Sequence, residues 1–237
     1  MEIKTALQIS GQIRDAKNCF ESVKTHILDK FNPDVFIDTW KSSNKLMDHR
    51  GAYIPNDMTI DEVIEGYNPK VIQVEDFDTP LMKHIAEFPY QRLNAYDGTF
   101  PWETKFQNVF YMYYKVWKAN IHKCSHENLN AIKYDRVIKS RFDLKFDEFP
   151  DIIPEKNTVY VPSGWDCRGG LSDLLAIADS ETINKYCRLF ECLKTYHDNG
   201  ITLHPESVLR KHLEINNIKI ERFDLKYYLR EMYLGEP

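Results

Sequence analysis

Lys139-Ser140-Arg141-Phe142-Asp143-Leu144-Lys145-Phe146 closes a short apolar segment, Tyr134 to Ile138, that reads as a buried strand between turn-prone flanks. The octapeptide thus puts a cation, Arg141, and a carboxylate, Asp143, at the end of a strand. In an extended chain residues i and i+2 share a face, so this spacing lets both address one ligand. A guanidinium forks onto phosphate oxygens, and a carboxylate takes a hard cation such as Mg²⁺ or Mn²⁺. The pair would suit a diphosphate and its metal. The competing reading is a local Arg/Asp surface pair of little energetic value.

Upstream, Ile3 to Ile9 forms an apolar strand that runs into Ser10-Gly11-Gln12-Ile13-Arg14, where the glycine permits a tight exit and close backbone approach to a ligand. From about Asn18 to Phe31, Phe20, Val23, Ile27 and Leu28 recur at helical spacing, and Asn32-Pro33 stops the helix. Asp34 to Trp40 is a second strand with Asp38 at its outgoing end. Residues 42 to 58 are irregular. Thr59 with Asp61 and Glu62 opens a helix, and residues 69 to 74 give a third strand. Strand and helix alternate, which predicts an α/β chain with a mostly parallel sheet flanked by helices.

Downstream, Pro80, Pro89, Asp97-Gly98 and Pro101 mark a long insertion over 76 to 101. An aromatic-rich helix follows from about Trp102 to His122, with Lys115 on its polar side, within reach of a ligand. After the Arg141/Asp143 strand come a short strand, Thr158 to Pro162, and a glycine-containing loop, Gly164 to Asp173. Ser172 or Asp173 caps a helix beginning at Leu174 and Leu175. A helix from Ser180 to about His197, another opened by His204-Pro205-Glu206, a strand over Ile218 to Phe223 and an aromatic tail from Tyr227 to Tyr233 complete the chain.

At 237 residues, without a Gly/Ser-rich or Pro-rich linker, one domain is expected. The net charge of −5 argues against a broad basic face for nucleic acid. Five cysteines, at 19, 124, 167, 187 and 192, contain no Cys-x-x-Cys pair and suggest neither a zinc ribbon nor a disulfide framework. A reduced, cytoplasmic protein is expected. No run of 18 apolar residues predicts a transmembrane segment, so membrane contact is expected to be peripheral at most. The basic and aromatic stretch Lys226 to Arg230 reads either as such a contact or as a packed tail.

Taken in order, Gln8-Ile9-Ser10-Gly11-Gln12-Ile13-Arg14, the segment Pro33 to Trp40, the segment Tyr134 to Leu144, Gly169-Gly170-Leu171-Ser172-Asp173-Leu174-Leu175-Ala176-Ile177-Ala178 and His204-Pro205-Glu206 resemble a group of small nucleotide-sugar glycosyltransferases. These occur in large DNA viruses and in bacterial surface-polysaccharide clusters. The order of the motifs carries the resemblance, which runs roughly from Ile3 to Phe223.

The resemblance implies a single-domain, GT-A-like (Rossmann-like) fold and transfer of a sugar from a nucleoside-diphosphate donor to a glycan or lipid-linked acceptor. Donor contacts would fall to Gln8, Ser10, Gly11 and Arg14, with Asp38 near the base or ribose and Arg141 and Lys115 completing the set. The usual Asp-x-Asp metal motif is replaced by Arg141-Phe142-Asp143. That leaves Asp143 as a ligand of Mn²⁺ or Mg²⁺, with His204 as the late histidine that joins it. In an inverting enzyme Asp173 is the expected general base, with Glu206 second; in a retaining one Asp173 would hold sugar hydroxyls. The absent first aspartate keeps open a catalytically inactive carbohydrate- or nucleotide-binding module. A sugar-nucleotide hydrolase or nucleotidyltransferase would share the diphosphate chemistry.

Overall fold

The computed structural model describes residues 3–41, 58–76, 79, 106–164 and 166–229. Strand β1 (Thr5–Gly11) leads into α1 (Ala16–Val23), which passes through a π-helical stretch, Lys24–Leu28, into a last turn, α2 (Asp29–Phe31). Asn32, at φ 42°, ends this helical run, and the following proline hands the chain to β2 (Asp34–Trp40). Helix α3 (Ile60–Tyr67) starts with a full capping box: Glu62 N donates to Thr59 Oγ1 at 3.2 Å, and Thr59 N donates to Glu62 Oε2 at 2.7 Å. Strand β3 (Val71–Glu75) follows.

The long helix α4 (Phe106–Asn130) then precedes β4 (Arg136–Ser140), β5 (Leu144–Phe146), β6 (Thr158–Pro162) and β7 (Ala176–Ala178). Helices α5 (Ser180–Cys187), α6 (Leu189–Asp198) and α7 (Pro205–Ile215) lead to β8 (Lys219–Phe223) and β9 (Tyr227–Leu229).

Seven strands form one sheet in the order β3-β2-β1-β4-β7-β6-β8. Neighbours are parallel except β7, which runs antiparallel to both β4 and β6. The result is an α/β protein with a mostly parallel mixed sheet flanked by helices. Alternation along each strand feeds two cores. Ala6, Phe36, Val137, Val159 and Ala176 pack toward α4 to α7, whereas Leu7, Ile9, Val35, Ile37, Ile138 and Ile177 pack with residues of α1 and α3.

From β1 the order moves one way through β2 and β3, while β4 lies on the other side of β1. The β1/β4 boundary is therefore the topological switch point, and the crevice beyond the carboxyl ends of its strands is where open α/β sheets take ligands. Gly11 and Ser140, the last residues of these two strands, stand at that rim.

Several expectations are corrected. The segment after Asp173 is not a helix: Ala176–Ala178 is a strand wedged between β4 and β6. The apolar Leu and Ala residues favour a helix intrinsically, but pairing on both edges overrides that preference. The helix begins instead at Ser180, capped by Asp179, whose carboxylate accepts from Thr182 N at 2.6 Å. The helix expected to run from 180 to 197 is two helices meeting at Arg188, and the aromatic helix continues to Asn130.

The tail is packed as far as Leu229: β9 pairs antiparallel with β5, and Tyr227 is buried, while Arg230 to Tyr233 fall outside the described residues. The insertion placed at 76–101 and the irregular stretch 42–58 fall, apart from Met58, Asp76 and Thr79, outside the described residues. Among the described residues no helix is long and apolar enough to cross a membrane.

Candidate functional site

Strand β4 ends at Ser140, so Arg141, Phe142 and Asp143 lie in a turn instead of continuing the strand. The turn is fixed from below. Phe142 is fully buried and meets Tyr67 edge-on at 5.9 Å. In this turn Arg141 and Asp143 reach each other rather than pointing side by side at a ligand. Arg141 donates from Nε to Asp143 Oδ1 at 2.8 Å and from Nη2 to Oδ2 at 2.7 Å. Arg14, just beyond β1, donates from Nε to the same Oδ2 at 2.6 Å. Asp143 is 3% exposed. Burial alone would raise its pKa; Arg141 and then Arg14 overcome that and hold the carboxyl well below the usual carboxylate range.

This pair is therefore more than the exposed ion pair of small value. It is a buried, bidentate clamp with a second guanidinium attached, spanning the β1/β4 switch point. Gly11 makes it possible for β1 to turn toward it: its φ is 107°, a region that L side chains rarely adopt, and its carbonyl accepts from Thr39 Oγ1 at 2.7 Å.

On the far side of β4 sits an acidic group. Asp173 and Glu206 come from the loop before β7 and the first turn of α7. The loop is tied down at several points. Asp166 Oδ1 accepts from Ser172 N at 2.9 Å while Arg222 holds both Asp166 oxygens, at 3.1 and 3.0 Å. Leu171 N donates to Glu206 O at 3.0 Å. Gly170 packs so tightly on α7 that a Cβ there would lie 2.3 Å from the Glu206 carbonyl carbon. From α4, Tyr113 Oη donates to Pro205 O at 2.9 Å and pins the same first turn. These contacts locate Glu206 beside Asp173.

Burial, and next the neighbouring Glu206 charge, push the Asp173 carboxyl up from its ordinary value. Two fully buried tyrosines, Tyr113 and Tyr186, flank it. Burial and then the charge of Asp173 raise both phenols well above their usual range. His204 Nδ1 lies 3.0 Å from Glu206 Oε2, yet neither atom has a well-aligned hydrogen-bond partner among the described residues. Buried polar atoms in that condition are completed by water, an ion or a ligand. Lys139 of β4 is tied to the same loop: its ammonium donates to the Asp173 carbonyl, and burial lowers its pKa to about 8.

The other expected donor residues are placed elsewhere. Gln8, in the middle of β1, donates from Nε2 to Asn120 Oδ1 at 2.9 Å and is buried under α4. Ser10 is buried near the strand's end. Asp38 and Lys115 are brought together, but with each other: Lys115 Nζ is 2.6 Å from Asp38 Oδ1 and 2.7 Å from Glu75 Oε2, and 3.9 Å from the Trp40 ring centroid. His122 Nε2 takes the other Asp38 oxygen at 2.8 Å. Both Asp38 oxygens are thus engaged within the protein, and this group, fully buried at Asp38 and Lys115, knits α4 to β2 and β3. Sequence reading missed Tyr113, Tyr186 and Lys139 as site residues. Lys139, a lysine inside an apolar strand, is the one that carried a signal.

The donor set can be tested against a divalent cation. Asp143 presents both oxygens to guanidinium N–H groups, whereas hard cations are held by carboxylate oxygens turned toward them. At a separation of about 4 Å and an effective dielectric near 20, a doubly charged ion and each guanidinium would repel by about 8 kcal/mol. His204 faces Glu206, and among the described residues no group of three or more His, Cys, Asp or Glu side chains is arranged to hold a metal. The residues at Asp143 do not fit Mn²⁺ or Mg²⁺.

No protein-family model matches the chain, and none of the curated proteins matches it.

Proposed function

We propose that the protein is a glycosyltransferase of GT-A-like fold that moves a sugar from a nucleoside-diphosphate sugar to a hydroxyl of a glycan or related acceptor. One observation carries this reading. At the β1/β4 switch point a two-arginine clamp, suited to phosphate oxygens, adjoins a buried carboxyl of raised pKa, suited to taking a proton. Lys139 of β4, two residues before Arg141, donates to the Asp173 carbonyl, and Arg141 contributes to the field at Asp173.

The chemistry follows from this adjacency. The acceptor oxygen forms a bond to the anomeric carbon, and the bond between that carbon and the diphosphate oxygen breaks. Its electron pair leaves with the nucleoside diphosphate. Arg141 and Arg14 lower the cost of the negative charge gathering on that leaving group. The acceptor proton passes to Asp173, whose raised pKa brings it toward working pH, where a base is most effective. In this reading His204 and Glu206, 3.0 Å from each other beside Asp173, hold sugar hydroxyls.

The test is turnover of a panel of nucleotide sugars, with nucleoside diphosphate release measured with and without glycan acceptors. Release stimulated by an acceptor supports the reading. Release to water alone points to a sugar-nucleotide hydrolase, and no release from any donor points to a binding module.

A further inference from the structure

We infer that the donor diphosphate is neutralised by guanidinium charge alone, with Asp143 as the counter-ion that positions Arg14 and Arg141, so the site works without a divalent cation. This rests on the donor reading above and specifies what holds its phosphates.

Three N–H groups converge on one buried carboxylate: Nε of Arg14 at 2.6 Å, and Nε and Nη2 of Arg141 at 2.8 and 2.7 Å. Within this trio two guanidiniums hold one carboxylate. The trio stands at the rim where β1 and β4 diverge, the place where open α/β sheets take ligands. The arginines approach from two different strand ends, and Asp143 ties them together. Each arginine side chain is 19% exposed, against 4% for the Asp143 side chain. The guanidiniums form the more exposed part of the clamp and the carboxylate its buried part.

A metal site of this fold type needs the reverse, with carboxylate oxygens toward the phosphates. Guanidinium forks match phosphate geometry directly, and guanidinium is weakly hydrated, so its transfer from water into a part-buried site is comparatively easy. Asp143 is a positioning residue here. It shapes the clamp without touching the donor.

The experiment is isothermal titration of UDP, GDP, dTDP and inorganic pyrophosphate into the full-length protein, in EDTA and again in Mn²⁺. At least one nucleoside diphosphate is expected to bind in EDTA, with Kd changing less than threefold on adding Mn²⁺. Arg141→Ala should weaken it at least tenfold, and added methylguanidinium should restore part of the loss, which a purely structural role would not allow. Asp143→Asn should also weaken it at least tenfold. Should that variant fail to fold, Arg14→Lys, which keeps the charge and loses the fork, should weaken it several-fold.

Binding that requires Mn²⁺ and vanishes in EDTA overturns the metal-free clamp while sparing the donor reading. Wild-type affinity in the folded clamp variants also overturns it. An absence of binding in both buffers overturns the donor reading as well.

Discussion

Arg141 and Asp143 are joined by two parallel hydrogen bonds, Nε to Oδ1 at 2.8 Å and Nη2 to Oδ2 at 2.7 Å, across a turn that begins where β4 stops. Lysine can supply the charge but not the fork. Arg141→Lys should therefore cost about 1.5–3 kcal/mol of stability, the range for hydrogen bonds to a charged group. Urea unfolding measures this; an unchanged midpoint would show that the pair is energetically idle.

Asp173 is argued to take the acceptor proton. Asp173→Asn should lower kcat by about 10²- to 10⁴-fold, the usual worth of a general base, while circular dichroism stays that of the folded protein. The pH profile adds a sign. A base must be deprotonated, so activity should rise with pH through the raised Asp173 pKa. Glu206→Gln removes a like charge that helps raise it, so the rising limb should move to lower pH. A limb that stays put or moves upward would separate Glu206 from Asp173.

Lys139 gives a stability signature. Burial lowers its folded pKa from 10.5 to about 8. Between those values the unfolded chain binds more protons than the folded one, so this group makes stability rise with pH. The advantage of wild type over Lys139→Met should grow by roughly 3 kcal/mol from pH 7.5 to pH 10.5. Cys187, which burial pushes up to about 12, opposes this trend in both proteins. A pH-independent difference in denaturant midpoint would contradict the burial argument.

The Lys115 cluster is predicted to act on folding. Lys115→Met leaves Asp38, which is 0% exposed, without its ammonium partner. Breaking one side of a buried pair typically costs about 3–5 kcal/mol. Thermal and urea unfolding should show a loss of that order, and a loss under 1 kcal/mol would mean that the His122 contact alone suffices for Asp38.

Most of the sheet was legible in the chain because β1, β2, β3, β4 and β6 carry apolar residues between turn residues, and β8 alternates Ile220 with charged neighbours. Strand β7 was not. Leu174-Leu175-Ala176-Ile177-Ala178 is rich in good helix formers, and the strand state of Ala176–Ala178 comes from partners on both sides, 37 to 41 residues apart in the case of β4. Its unbroken apolar character and the Asp179 cap were the available signals. The Arg141/Asp143 pair was visible from its spacing. Its inward pairing was not, because that depends on where β4 ends and on Arg14, 129 residues away. Asp38 and Lys115 looked like separate ligand contacts for the same reason: 77 residues separate two side chains that satisfy each other.

A structure of the protein grown with a nucleoside diphosphate in EDTA tests the central claim most directly. The account predicts phosphate oxygens within hydrogen-bonding distance of both Arg14 and Arg141 at the carboxyl ends of β1 and β4, with Asp143 still bonded to the two guanidiniums behind them. Phosphates bound away from this rim, or Asp143 released from the arginines to face the diphosphate, would contradict it.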